Sequence, residues 1–307
     1  MTNSIHSNDN KKNNLLKVIS GTTVLSALIQ ITIGGIVRVT ESGLGCPDWP
    51  LCFGELVPKF NTETAIEYSH RISGAILILL VLTTTIISWK KIKALNITKI
   101  FSILTLILVL ITGALGGVTV ITELPWWSVL IHLSLAEITL AFSLVVWIST
   151  WGSLKTIIYI DNNEFQKLTI LSLIGILILI ISGSFMVGSG YASSCSSWPF
   201  CGNGLIPTQK PYLINMLHRL ISLLVGIILI YTAVKGWKIY KNNILGKLNK
   251  ALIHSFILQI TFGAMIVWME FNPHIKLTHY IFATILWTLL VMIITITYIK
   301  KYRIKII

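Results

Sequence analysis

The 307-residue chain is 54% hydrophobic and only 11% charged, with a mean hydropathy of +0.81, so it has too little polar surface to clothe a soluble globule of its length. The solvent it calls for is a bilayer. Its net charge of +13 suggests nucleic acid at first sight, but the cations are spaced along the chain in a topological pattern, and no nucleic-acid partner is expected.

An apolar stretch of ~20 residues crosses the hydrocarbon core as a helix, because only internal hydrogen bonding satisfies its backbone there. Eight such helices are predicted, over 18–37, 72–89, 100–122, 129–151, 168–188, 213–234, 251–269 and 277–299. Residues 1–17 read as a polar tail. The first stretch follows lysines as a signal peptide does, but it is long and lacks a small-x-small cleavage site, which predicts a retained helix.

Lys11, Lys12 and Lys17 precede the first helix, Lys90, Lys91, Lys93 and Lys99 separate the second and third, and Lys155 and Lys167 separate the fourth and fifth. Lys235, Lys238, Lys241, Lys247 and Lys250 lie between the sixth and seventh, and Lys300, Lys301, Arg303 and Lys305 close the chain. The alternate connections hold Glu41, Asp48, Glu55, Glu63, Glu123 and Glu270. By the positive-inside rule both termini face the cytoplasm and the alternate loops face outward.

The chain repeats itself. Cys-Pro-Asp-Trp-Pro-Leu-Cys at 46–52 returns as Cys-Ser-Ser-Trp-Pro-Phe-Cys at 195–201, an offset of 149. His70-Arg71 returns as His218-Arg219 at an offset of 148, and Glu123 and His132 return as Glu270 and His279 at 147. The predicted fold class is therefore an all-α membrane protein of eight transmembrane helices in two tandem four-helix bundles, 18–154 and 168–299. A cytoplasmic linker, 155–167, joins them, and a cytoplasmic tail, 300–307, follows. Four helices is an even number, so both bundles enter the membrane the same way, related by a pseudo-twofold axis along the membrane normal.

Of seven histidines, His6 lies in the tail, His274 in an outer loop and His254 near the cytoplasmic end of the seventh helix. His70, His132, His218 and His279 differ: all four fall near the outer starts of helices two, four, six and eight, at one depth. Paired by the repeat, they point to ligands of shared groups. A planar macrocycle between two helices needs one imidazole from each to fill both axial positions of its iron, which pairs His70 with His132 and His218 with His279. Copper or zinc is the alternative, but two neutral ligands bind zinc incompletely.

Arg71 and Arg219 follow ligand histidines at the outer interface, placed to pair with heme propionates or to snorkel to lipid phosphate. Glu67 projects one turn from His70 on the same face, whereas its counterpart is Asn215. An amide lacks the acid, base and charge-stabilising capacity of a carboxylate, so chemistry is expected in the first half. A helix-start carboxylate favoured by the macrodipole is the plain alternative. Glu137, five residues beyond His132, points about 140° away round the helix; helix contact and proton handling both stand open for it. Cys46 with Cys52 and Cys195 with Cys201 lie in loops facing an oxidising compartment, and a disulfide within each loop is the simplest connectivity, structural or redox-active.

Gly34-Gly35-Ile36-Val37-Arg38-Val39-Thr40 leading into Ser42-Gly43-Leu44, the Glu67-x-x-His70-Arg71 segment, the Gly116-Gly117-Val118-Thr119-Val120 run and the duplicated Cys-x5-Cys loops together resemble the bacterial heme A synthase family over essentially the whole chain. That resemblance implies oxidation of a methyl substituent of heme O to the formyl group of heme A for terminal oxidases. It implies substrate heme O on His70 and His132, Glu67 serving the oxidation, and a heme b cofactor on His218 and His279. It further implies coupling to a heme O synthase and an electron acceptor that the sequence does not identify. The expected setting is a bacterial cell membrane with lipid around the bundle, and a homo-oligomer stays open. The main rival is a diheme quinol-linked electron carrier. It accounts for the histidines but not for the pairing of Glu67 with Asn215.

Overall fold

The computed structural model describes residues 2–90, 95–152, 154, 160–201 and 208–304, with side chains from 14 to 300. Eight α-helices follow one another: α1 (Thr2–Val39), α2 (Thr62–Lys90), α3 (Asn96–Ile121), α4 (Trp126–Ser149), α5 (Asn163–Gly188), α6 (Lys210–Ile239), α7 (Ile244–Trp268) and α8 (Pro273–Ile304). Each holds a span long and apolar enough to cross a membrane, so the fold is an all-α membrane protein.

The helices outrun their apolar stretches. α1 begins at Thr2, so the segment expected as a polar tail is helical; α2 begins at Thr62, ten residues before its apolar run; α8 continues to Ile304, into the expected tail. Hydropathy marks where a helix becomes apolar, whereas caps mark where it starts. Asn61 Oδ1 accepts the Thr64 N–H at 2.7 Å, Asn162 Oδ1 accepts that of Phe165 at 2.8 Å, and Asn243 Oδ1 accepts that of Leu245 at 2.9 Å. Such caps contribute about 1 kcal/mol each. The Asn162 cap starts α5 inside the expected linker 155–167. Of the basic positions, Lys91, Lys93, Lys155 and Lys305 lie outside the described residues.

The packing is twofold throughout. α1 packs on α2 as α5 packs on α6, α3 on α4 as α7 on α8, and α2 on α3 as α6 on α7. Across the halves, α1 meets α8 as α5 meets α4, while α4 and α8 meet each other. Thr284, the counterpart of Glu137 at the 147 offset, donates its hydroxyl to Glu137 Oε1 at 2.6 Å, and Trp287 Nε1 donates to the Glu137 carbonyl at 2.8 Å. One carboxylate and its own repeat partner thus join the bundles.

The halves differ in their interiors. Between α1, α2, α3 and α4, Ser20, Thr23, Thr84, Thr85, Ser102, Thr105 and Ser143 line a small void, and Thr23 bonds Thr84 across it at 2.9 Å. The counterparts of Thr85, Thr105 and Ser143 are Ala233, Leu252 and Leu290, all buried. The Thr23–Thr84 bond has its counterpart in Ser172 and Thr232, 3.2 Å apart in the second half, so the halves differ at those three positions, where buried hydroxyls give way to aliphatic side chains.

Candidate functional site

The four histidines occupy equivalent registers, eight residues into α2 and α6 and six into α4 and α8. They therefore sit about two turns inside their helices, deeper than the apolar runs implied. His70 and His132 face each other with ring centroids 6.4 Å apart. An imidazole nitrogen bonds a transition metal at about 2.0 Å and lies about 1.1 Å from its ring centroid, so two rings on opposite sides of one iron stand about 6.2 Å apart. The observed separation suits that arrangement. His218 and His279 likewise lie within electrostatic reach of each other.

Each ring is seated against a glycine on the helix before it. A Cβ at Gly34 in α1 would lie 3.1 Å from His70 Cε1, at Gly116 in α3 3.1 Å from His132 Cε1, at Gly183 in α5 3.3 Å from His218 Cε1, and at Gly263 in α7 3.1 Å from His279 Cε1. These positions repeat at the offsets of the histidines' neighbours. Any larger residue would push the ring toward the space between the pair.

Three of the four Nδ1 atoms are also engaged by the preceding helix. His279 Nδ1 lies 3.1 Å from the Gln259 carbonyl, His218 Nδ1 lies 2.7 Å from Ser182 Oγ, and Gln30 Nε2 lies 3.2 Å from His70 Nδ1 and 3.5 Å from its Nε2. His132 Nδ1 is buried without a hydrogen-bond partner. Tethering one imidazole nitrogen to orient the other is how ligating histidines are held. Gln259 Nε2 lies 3.2 Å from His279 Nε2, where an axial bond would replace it.

Among the described residues no three His, Cys, Asp or Glu side chains converge on a point. A bare zinc or copper ion would find two donors where it needs four; a heme, bringing four nitrogens of its own, needs two. Donor set and glycine seats fit heme in each half, and the ring separation fits it in the first.

Glu67 is 5% exposed and accepts a hydrogen bond from Arg71 Nε at 2.9 Å. The rest of the guanidinium reaches into the first cysteine loop: Nη1 donates to the carbonyls of Asp48 and Leu51, both at 2.6 Å, and Nη2 to that of Cys46 at 2.8 Å. Four of five N–H groups are thus engaged, leaving one for a propionate. Arg219 Nη1 repeats the clamp on Ser197 and Pro199 at 2.8 and 2.9 Å, but Asn215, where Glu67 would be, donates instead to the Tyr191 carbonyl at 2.8 Å. Among the described residues, the buried ion pair has no counterpart in the second half.

The cysteine loops are tied to the helices that carry the histidines. Disulfides join Cys46 to Cys52 and Cys195 to Cys201, and each loop carries a cis proline, after Trp49 and after Trp198. All four cysteines are buried, between 0% and 5% exposed, so an external thiol has no line of attack. Asp48 accepts the N–H groups of Phe53 and Gly54 at 2.6 and 2.7 Å; those bonds, the Gly54 one above all, and the Arg71 charge hold its carboxyl below the usual carboxylate range. Trp49 lies on Gly117, where a Cβ would come within 2.7 Å of the indole, beside the seat of His132. Its counterpart Trp198 packs on Trp268 instead, centroids 5.6 Å apart.

The remaining candidates lie elsewhere. His254 Nδ1 bonds the Lys250 carbonyl at 2.8 Å within its own helix, His274 lies in the first turn of α8, and the side chain of His6 is outside the described ones. Glu137 is 1% exposed and belongs to the seam between the bundles. Composition gave no hint of Gln30, Ser182 and Gln259. The glycine seats were legible, since Gly34 and Gly183 are separated by 149 residues and Gly116 and Gly263 by 147, the spacings of the repeat.

The sequence matches the profile of a cytochrome oxidase assembly family, COX15-CtaA, over residues 17–65 and 58–291. It is 28% identical over 286 residues to a heme A synthase of Bacillus pumilus, covering 90% of this chain and 92% of that one. It is 27% identical over 288 residues to a heme A synthase of Geobacillus kaustophilus, covering 90% and 89%. A heme A synthase of an Exiguobacterium species is 29% identical over 268 residues, covering 86% and 87%.

Proposed function

We propose, from the premise that the chain belongs to the COX15-CtaA family of cytochrome oxidase assembly proteins, that it is a heme A synthase: an enzyme of heme A biosynthesis that oxidises a methyl group of heme O to the formyl group of heme A. The observation that carries the reading is the asymmetry of the two histidine sites. His70 and His132 face each other with a buried carboxylate, Glu67, one turn from His70, whereas Asn215 takes that place beside His218.

His70 and His132 would hold the substrate heme O, and His218 and His279 the resident heme b. When bound, heme b supplies one-electron redox chemistry. The work of the chain's own residues follows from their positions. The glycine seats pack against all four imidazoles and hold them where each pair would take a macrocycle between its two helices. Glu67, one turn from His70 in the first half, would stand beside the bound substrate, where a carboxylate could stabilise positive charge developing at the methyl carbon or orient the water that attacks it. Arg71 pairs directly with the carboxylate, and its clamp on the loop carbonyls holds the first cysteine loop in place beside the site.

Both termini are assigned to the cytoplasm and the cysteine loops to the outer face, following the distribution of lysines. Coupling to a heme O synthase and to an external electron acceptor belongs to the same reading. The test is to express the chain with a heme O synthase in a host lacking heme A, then extract the hemes and separate them with mass detection. Heme A, or its hydroxylated precursor, is expected; bound heme b with heme O unchanged would favour the diheme electron carrier.

A further inference from the structure

Between the first disulfide and α2, residues 53–60 form an apolar ridge outside the helices. Leu56 and Val57 are 78% and 67% exposed, and Phe53 and Phe60 are each more than half exposed. The backbone beneath them is fixed. Cys52 and Glu55 exchange hydrogen bonds, both at 3.1 Å, closing a turn whose central residues, Phe53 and Gly54, have φ of 56° and 73°. A bulky side chain rarely adopts that region; here Asp48 holds the turn by accepting the N–H groups of both residues. An apolar patch presented on a fixed backbone calls for a partner that removes it from water.

The way the ridge is attached says what covers it. The Tyr68 hydroxyl of α2 donates to the Leu56 carbonyl at 2.7 Å, and Phe60 packs edge-on against the Tyr68 ring with centroids 5.5 Å apart. Tyr68 heads a stripe at helical spacing, followed by Ile72, Ile76 and Leu79. Those three are exposed within a spanning segment, so they face acyl chains. The ridge therefore continues a lipid-facing surface. The depth of Tyr68 fits a bilayer surface as well. Trp126 and Trp127, half-exposed at the start of α4, mark the aromatic belt, six and five residues before His132, whereas Tyr68 lies only two before His70. Those two rings face each other, so at 1.5 Å per residue the Tyr68 backbone sits about 4.5 Å deeper than that of Trp127. Lys59, exposed on the same ridge, is long enough to snorkel to a lipid phosphate.

We propose that residues 53–60 are an interfacial anchor, with Leu56 and Val57 inserted among the acyl chains of the leaflet on the cysteine-loop side and Phe53 and Phe60 at the headgroup boundary. The partner is phospholipid because ridge and stripe form one surface, and a bilayer that covers the stripe reaches the ridge. Arg71 grips the same loop through the carbonyls of Cys46, Asp48 and Leu51, so the bilayer steadies the backbone around the Glu67–Arg71 pair. The anchor is independent of the reaction assigned above.

All four cysteines are in disulfides, so one added cysteine takes a nitroxide label specifically. Val57→Cys is compared with Glu63→Cys, on the exposed start of α2, and with Leu79→Cys, on the lipid-facing stripe. Each full chain is reconstituted in nanodiscs of phosphatidylcholine and phosphatidylglycerol, and collision of the label with oxygen is measured against collision with a water-soluble nickel chelate. The label at 57 is expected to meet oxygen more than nickel, as that at 79 does, and to be several-fold less accessible to nickel than that at 63. Adding Leu56→Ser and Phe60→Ser raises nickel contact at 57 toward that at 63. Nickel contact at 57 equal to that at 63 in the otherwise unaltered chain overturns the anchor. So does a label at 57 shielded from both reagents, which would mean that another protein or a second copy of this chain covers the ridge.

Discussion

Replacing Glu67 by glutamine preserves the volume of a buried side chain and removes one charge beside the first histidine pair. Stripping a buried ion pair of one member costs about 3–5 kcal/mol when the survivor is stranded, but Arg71 keeps its bonds to the carbonyls of Cys46, Asp48 and Leu51. The amide oxygen of glutamine can still accept from Arg71 Nε. What remains is the difference between a charged and a neutral acceptor, about 1 kcal/mol. Asn215, buried at the equivalent position, shows that the fold accepts an amide there. The chemical loss is far larger, since a positioned carboxylate contributes about 10²- to 10⁴-fold to a step that develops charge or moves a proton. The assay is heme extraction after co-expression with a heme O synthase, reading heme A formed per bound heme b. Product should fall at least a hundredfold while bound heme b and thermal stability change little; Asn215→Asp should leave product unaltered. Full product formation by Glu67→Gln would refute the assignment of chemistry to this carboxylate.

Gly263→Ala sets a methyl 3.1 Å from His279 Cε1, displacing the ring by a few tenths of an ångström; heme b occupancy of purified protein should fall by about tenfold, with Gly152→Ala, where the space is open, as the unaffected control. Replacing Cys46 and Cys52 together by serine opens a seven-residue loop and should cost about 2 kcal/mol by the loop-entropy relation; heme A formation persists at permissive temperature if the buried bridge is a staple, as its burial indicates. Thr284→Val leaves both oxygens of Glu137 without a side-chain partner on the bundle seam, at about 1–3 kcal/mol, read as a lower unfolding temperature with the heme spectra retained. The Asp48 carboxyl, depressed in the folded loop, lends stability that is fully present above its unfolded value near about 4 and is lost as pH falls through the lower folded one. Cleavage of the first cysteine loop by an acid-active protease should therefore rise below about pH 4, and Asp48→Asn should abolish that dependence.

The fold was readable because a membrane leaves a chain few options: apolar runs of spanning length become helices, and a repeated unit of four helices stacks on a twofold axis. What hydropathy missed were the helix ends. Asn61 and Asn162 start helices among polar residues, and the apolar signal begins only where the lipid does. The pairing of His70 with His132 followed from depth and repeat alone, as did the absence of a carboxylate at position 215. The tethers did not follow, because Gln30 and Ser182 are not counterparts in the repeat; each solves the same orientation problem from a different turn of α1 and α5. Nor could spacing show that Arg71 clamps the first cysteine loop through backbone carbonyls, which carry no sequence signature. Glu137 was visible as an intramembrane carboxylate, but its partner Thr284, 147 residues away, is recognisable only once the two halves pack.

The division of labour between the halves is tested most directly by purifying His132→Ala and His279→Ala from cells that make heme O and extracting the bound hemes. The account predicts that His132→Ala retains heme b and its spectrum but forms no heme A, whereas His279→Ala loses heme b. Retention of heme b by His279→Ala together with its loss from His132→Ala would contradict it.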